Sequence, residues 1–450
     1  MSLLTPMMRT SPLTAWFSDA QRVQGMLDFE AALARAQVEC GLVPQAALNP
    51  IIESCRHENI DFAALGQAAA SAGNLAIPLV KQLTARVKQR DDAAARYVHW
   101  GATSQDAIDT GFILQLRGAL EETDSLLQQL LDALAHQAAR YQDTVMPGRT
   151  WMQHALPVTF GLKLAGTLDA LLRWQVRLGE MRSRVLALQF GGAAGTLDSL
   201  KTQAPRIAGA LAKTLDLQLP DAPWHSQRDR LLEVGAWYAG VCGTLGKFAN
   251  DFSLLMQTEV AEVGEPVAEG RGGSSTMPHK RNPISCAAIL TAAQRTPGLV
   301  ATLYAGQIQQ HERALGSWQA EWETLPELIT LVGGALAQSE ALVRDMQVFP
   351  HKMRADLDIT HGLIMAEAVT LALAEFVGKA EAHHRVEALC RQALDASRSL
   401  LSVLETDPLV SKHLSASRLT QLLDPTTATG SSALFVRQVV ARYKEQRHEC

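Results

Sequence analysis

Aromatic residues are scarce, making up 5% of a 450-residue chain in which hydrophobic residues reach 47%. A core with so few rings has to be built from Ala, Leu, Val, Ile and Met, a balance that favours helices over strands. Cysteine is thin as well. The six cysteines (Cys40, Cys55, Cys242, Cys286, Cys390 and Cys450) lie far apart with no CxxC pair. That excludes a disulfide framework and a structural zinc site, and it points to a reduced, cytoplasmic protein. No basic flank followed by a long apolar run opens the chain, and uncharged stretches such as TPGLVATLYAGQIQQ (296–310) are too polar to span a membrane. Basic charge is not in excess: the formal net charge is −5, which argues against nucleic acid as a partner.

What is present is helical periodicity on an unusual scale. Residues 111–146 contain no proline, and Leu116, Leu120, Leu127, Leu130, Leu131, Leu134 and Ala138 keep helical spacing. Residues 228–263 behave alike, and comparable segments cover 158–190, 284–310 and 327–348, the last closed by Pro350. Helices of this length suit an elongated bundle. The expectation is an all-α fold of three helical domains: residues 1–110, a central long-helix bundle over 111–350, and residues 351–450.

Chemistry belongs where such a pattern fails, because loops on a rigid scaffold carry function. Three places qualify. GATSQDAIDTG (101–111) sets Thr103, Ser104 and Asp106, all N-cap types, before the first long helix. In GRTWMQHALP (148–157), Thr150 and Gln153 precede a helix that Pro157 can start. GGSSTMPHKRNP (272–283) places glycine hinges, hydroxyls, an apolar Met277 of the buried type and Lys280 ahead of Asn282 as N-cap and Pro283 as first helical residue. Each reads as a helix N-terminus, which favours anions. Taken singly they are ordinary: a cap, a solvated turn at Arg149 and Thr150, and a glycine linker with no Walker A spacing. Together, the third segment reads as a lid with an anion site at its base.

GSSTMPHKRNP (273–283) resembles the signature of the fumarase/aspartase superfamily, GSSxMPxKxNP, at every specified position. The resemblance extends to GATSQD, to RTWMQHALP, to QRDR (227–230) and HER (311–313), and to DLDITHGLIMAE (356–367). It implies a homotetramer whose long helices form a central bundle, with active sites shared between subunits. It implies no cofactor and no metal, and a small polycarboxylate substrate. By resemblance, Ser274 exchanges a proton with the carbon next to a substrate carboxylate, and Lys280 helps to stabilise its alkoxide. Thr103, Ser104, Thr150, Gln153, Ser275, Asn282 and Arg313 would bind carboxylates and the aci-carboxylate intermediate. His99 is a further candidate for substrate contact or for a turn cap.

Two departures from the family pattern narrow the chemistry. The second segment usually carries a histidine where this chain has Trp151, and the signature usually carries a glutamate where this chain has Ala287. Trp151 reads as a core filler opposite Ala287, as a wall of the substrate pocket, or as both. AGNLAIPLV (72–80) also lacks a histidine that adenylosuccinate lyases place there. An amine or hydroxide leaving group wants a general acid, whereas a carboxylate, whose conjugate acid has a pKa of about 4, leaves without one. The expected reaction is therefore lactonisation, an internal carboxylate adding to a double bond. Alternatives are an elimination lyase acting on adenylosuccinate or argininosuccinate, and a catalytically silent homologue. His154 stays open as a structural histidine or an alternative acid. His383 and His384 adjoin without the i, i+4 spacing of a helical metal site.

Overall fold

The structure, a computed structural model, describes residues 3–449; Cys450 lies outside the described residues. Five long helices dominate: α1 (Ser104–Arg140), α2 (Phe160–Val185), α3 (Asp229–Leu255), α4 (Ile284–Ala305) and α5 (Ser317–Asp345). By spatial contact the chain groups into two compact units. The first joins the stretch ending at Gln128 with Arg173–Gly246 and Ala288–Gln338, and the second joins Gln129–Leu172, Lys247–Ala287 and the stretch from Ser339 onward. Every long helix contributes residues to both.

The helix boundaries depart from the periodic pattern for identifiable reasons. α1 starts at Ser104, a full turn and more ahead of the expected 111. There the Asp106 carboxylate reaches back to the Thr103 backbone N–H at 3.0 Å, and the Asp106 N–H donates to the Thr103 carbonyl at 3.0 Å. α5 starts at Ser317 and runs through Pro326. A proline inside a helix costs about 3 kcal/mol. Burial of Trp318 and Leu325 on the added turns offsets it, together with an ion pair at 2.7 Å between Glu321 and Arg228.

In the first unit the helix Asp19–Glu39 crosses α1 with its backbone in contact: a Cβ on Gly25 would stand 2.6 Å from the Gly111 carbonyl oxygen. No other residue fits that crossing. The second unit has its own apolar core, in which Val369, Leu373, Val386, Leu389, Leu400 and Leu404 pack together.

Residues 148–157 do not lead into a helix. They belong to an antiparallel hairpin, β1 (Val145–Thr150) and β2 (Gln153–Thr159), with Thr150 opposite Gln153 and Arg149 opposite His154. Its two tip residues, Trp151 and Met152, both have left-handed backbone (φ 50° and 64°), the geometry that a two-residue hairpin turn demands. Helix α2 begins only after β2, where the Thr159 hydroxyl accepts the Leu162 N–H at 3.2 Å. Pro157 is a strand residue facing Pro147. A second short pair, β3 (Val263–Gly264) with β4 (Gln347–Val348), lies in the same unit. Among the described residues no helix is long and apolar enough to cross a membrane.

Candidate active site

In the first unit, Thr103 and Ser104 open α1, and Gln105 behind them is fully buried. The Gln105 amide is oriented by its neighbours. Its NH2 donates to the Asp109 carboxylate at 3.1 Å and to the His225 carbonyl at 2.8 Å, which leaves its oxygen to accept the Arg313 Nε–H at 3.0 Å. Arg313 also donates to the Gly192 carbonyl at 3.4 Å. Beneath lies a buried charge cluster: Arg228, 1% exposed, is held by Asp109 at 2.6 Å and Glu321 at 2.7 Å, and the Trp318 indole N–H donates to Asp109. Burial pulls the Arg228 pKa down, but the two carboxylates outweigh it and the net direction is upward. Asp106 accepts the N–H groups of Gly191 and Gly192 and pairs with His225 at 2.7 Å. This network gathers Thr103, Ser104 and Arg313 into one group.

His99 has strained backbone, with φ 59°, its Nδ1 lies 2.6 Å from the Glu30 carboxylate, and it feels the charge of Asp106 from the network. Burial alone would lower its pKa; the Glu30 carboxylate overcomes this and holds the imidazole above its ordinary value. Asn74, within the stretch 72–80 that lacks a histidine, caps the Ile77 N–H at 3.1 Å. It lines a cavity of about 530 Å³ together with Arg22, Asp109, Arg228 and Glu321.

In the second unit, Thr150, Trp151 and Gln153 stand exposed at the hairpin tip. Trp151 is 98% exposed, so it is not a core filler within the chain; Ala287 is exposed as well. The stem is anchored below the tip. Arg149 is not a solvated turn residue: both of its terminal nitrogens donate to the Glu262 carboxylate at 2.9 Å, and Glu262 is fully buried. Burial raises the Glu262 pKa against the pull of Arg149, and Asp356 adds to the rise. Asp356 in turn accepts Lys352 Nζ. His154, opposite Arg149, has a buried Nδ1 without a hydrogen-bond partner, and burial and then the Arg149 cation depress its pKa. A histidine biased toward the neutral form is poorly suited to act as an acid.

The signature loop is pinched at its neck. Asn282 N–H donates to the Gly272 carbonyl at 2.8 Å, and Gly273 bridges Arg281. Gly272 has φ 66°, and a Cβ there would stand 2.8 Å from the Asn282 oxygen, so glycine is required. Inside the neck the Ser274 oxygen accepts the backbone N–H of Met277 at 3.0 Å and that of Thr276 at 3.3 Å. Ser275 and Lys280 are exposed, and Met277, expected as a buried type, is 42% exposed. Among the described residues no hydrogen bond joins Thr150 or Gln153 to Ser274, Ser275, Lys280 or Asn282.

The anion site expected at the base of this loop is occupied by the protein itself. Glu265 accepts the N–H groups of Ser285 and Cys286, at 3.0 and 2.9 Å, in the first turn of α4. Arg271 likewise turns inward, donating to the Ser285 hydroxyl at 2.6 Å. Of the loop's cations, His279, Lys280 and Arg281 are the ones exposed. Glu262, Glu265, Gln105 and His225 escaped sequence reasoning; TEVAEVGEP (258–266) carries closely spaced glutamates, but no local motif marks their partners. Among the described residues no group of three or more His, Cys, Asp or Glu side chains is arranged to hold a metal ion, and His383 and His384 are exposed.

A mainly helical chain carrying this loop defines a class. Residues 7–298 match the family described as lyase, and residues 362–439 match adenylosuccinate lyase C-terminus; the chain belongs to this lyase family, the fumarase/aspartase superfamily. Within it, the chain is similar to the 3-carboxy-cis,cis-muconate cycloisomerase of Pseudomonas aeruginosa, at 54% identity over 96% of this chain and 94% of that one. It is 49% identical to the enzyme of the same name from Bradyrhizobium diazoefficiens, over 97% of each chain. The crystal structure of 3-carboxy-cis,cis-muconate lactonizing enzyme from Pseudomonas putida superposes with a TM-score of 0.93 at 49% identity, covering 98% of this chain and 99% of that one.

Proposed function

We infer that this chain is a carboxymuconate cycloisomerase, interconverting 3-carboxy-cis,cis-muconate and 4-carboxymuconolactone. The observation that carries this reading is Trp151 in place of an imidazole, in a chain 54% identical to an enzyme of that name. An intramolecular carboxylate needs no general acid. In the closing direction a substrate carboxylate oxygen bonds to the far carbon of a double bond, and the π electrons move into the neighbouring carboxylate to form an aci-carboxylate. Ser274 then gives its proton to the carbon between them. The alkoxide left on Ser274 is stabilised by the two loop N–H groups that its oxygen already accepts, and by Lys280 once substrate is held. Thr103, Ser104, Thr150, Gln153, Ser275, Asn282 and Arg313 supply donors for the carboxylates. His99, biased toward the cation by Glu30, adds a charge that suits the same polyanion.

The exposed tip residues Trp151 and Met152, and the apolar Ile308 and Leu315 flanking HER, 81% and 88% exposed, support burial of these segments against other copies of the chain. A homotetramer with shared sites fits them. Turnover in deuterium oxide should place one deuterium on carbon in the lactone, and Ser274→Ala should lose turnover with its fold intact. A lactone without carbon-bound deuterium, or a Ser274→Ala variant at full rate, would defeat the mechanism.

A further inference from the structure

A helix start next to a loop rich in hydroxyls invites the view that its free N–H groups receive a substrate carboxylate. The geometry excludes that use at α4. The N–H groups of Ser285 and Cys286 are both taken by the Glu265 carboxylate, which is 7% exposed. Glu265 directly follows β3, and β3 is fixed by its pairing with β4 and by the Phe349 N–H donating to the Glu262 carbonyl at 3.0 Å. The carboxylate therefore ties the start of α4 to a braced strand. Arg271 completes the tie from the other end of the loop: one terminal nitrogen lies 2.6 Å from the Ser285 hydroxyl and 3.8 Å from Glu265. Both ends of the loop converge on one buried carboxylate, and the neck closed by Gly272 and Asn282 stands just above it.

We propose that Glu265 is a positioning residue for the reaction, holding the neck of the signature loop so that Ser274 meets the substrate carbon in register. The proposal rests on the reading that Ser274 exchanges the proton. Two carboxylate oxygens matched to two N–H groups make a rigid two-point clasp, with the helix dipole and Arg271 both favouring its charge. Ser274 sits immediately inside the neck, so a small tilt of the neck moves its oxygen by a comparable distance. A displacement of about 1 Å at a reacting group can cost about a hundredfold in rate. The exposed Lys280 is not part of the neck, and Thr103, Ser104 and Arg313 stand on other segments, so binding should suffer far less than turnover.

The test uses the full-length enzyme with 3-carboxymuconate as substrate, comparing Glu265→Ala, Glu265→Gln, Arg271→Met and Ser274→Ala. Glu265→Ala should lower kcat about a hundredfold with little change in KM, because positioning and not binding is lost. It also leaves a hole lined by two N–H groups and a guanidinium, which formate fits. Added formate should restore kcat in a saturable way in Glu265→Ala, and should do nothing for Glu265→Gln, whose amide fills the hole and sets its NH2 against one helix N–H. Arg271→Met leaves the clasp but removes its second tie, and should lower kcat with KM unchanged. Wild-type kcat in Glu265→Ala, or a loss that formate does not touch in a variant of wild-type circular dichroism, overturns the proposal. If Glu265→Ala does not fold, wild-type kcat in Arg271→Met overturns it instead. Activity surviving in Ser274→Ala would strike the underlying reading of the loop, whatever Glu265 does.

Discussion

Replacing Arg149 by methionine leaves Glu262, fully buried, without the cation that holds both of its oxygens. Breaking a buried ion pair from one side costs about 3 to 5 kcal/mol. An independent ceiling comes from protonation. A stranded Glu262 can take up a proton, and at pH 7 holding neutral a carboxyl with an unfolded pKa of about 4.3 costs about 2.7 units at about 1.4 kcal/mol each, or about 3.8 kcal/mol. The two figures agree, and the second makes the effect depend on pH. In the wild type burial already raises the Glu262 pKa, so its contribution to stability is fully present below the unfolded value and is lost as pH rises through the folded value. Without Arg149 the folded value rises further and the loss continues over a wider span. The deficit of Arg149→Met relative to wild type should therefore be small near pH 4.5 and grow by up to about 1.4 kcal/mol per unit toward pH 7. Urea unfolding of both proteins at pH 5 and pH 7, followed by circular dichroism, measures it. A deficit that is equal at both pH values, or below about 1 kcal/mol at pH 7, refutes the reasoning that Glu262 depends on this pair.

The paired change Trp151→His with Ala287→Glu should not speed lactonisation, since a carboxylate nucleophile needs no acid. With Trp151 98% exposed it should also leave the unfolding of the dissociated chain within about 0.5 kcal/mol; a faster double variant would show that an acid was wanted. Gln105→Leu removes the acceptor that holds the Arg313 Nε–H, and charged hydrogen bonds contribute about 1.5 to 3 kcal/mol, so KM should rise about tenfold or more. An unchanged KM in steady-state kinetics would separate Arg313 from substrate binding. Glu30→Gln removes the larger of the two carboxylate influences that raise His99 and leaves burial opposed only by Asp106, so the imidazole pKa should fall relative to wild type by NMR. In the wild type the stabilisation from this pair is fully present below the unfolded value near 6.5 and disappears as pH rises through the higher folded value. A His99 pKa that does not move in Glu30→Gln contradicts the assignment.

The long helices were legible because their apolar spacing is local information: Leu116, Leu120, Leu127 and Leu131 mark one face of α1, and all four are buried. The signature loop was legible because its residues are contiguous. The hairpin was not. Its turn is made by Trp151 and Met152, neither of which is a residue that usually accepts left-handed backbone, and Pro157 imitates a helix start. The start of α5 was hidden by Pro326, whose cost is met by packing around Trp318 that no local pattern reveals. The occupation of the α4 start by Glu265, twenty residues from Ser285, was hidden for the same reason, since capping preferences speak only of immediate neighbours. Arg149 and Glu262 find each other across 113 residues of chain. A lone arginine in a turn carries no sign of such a partner.

The central claim, that this chain closes a carboxymuconate to its lactone, is tested most directly by offering the purified protein 3-carboxy-cis,cis-muconate, adenylosuccinate and argininosuccinate separately and following absorbance. Rapid loss of the conjugated diene signal is expected with the first, and no turnover of the other two. Turnover of adenylosuccinate or argininosuccinate with the muconate left untouched would contradict it.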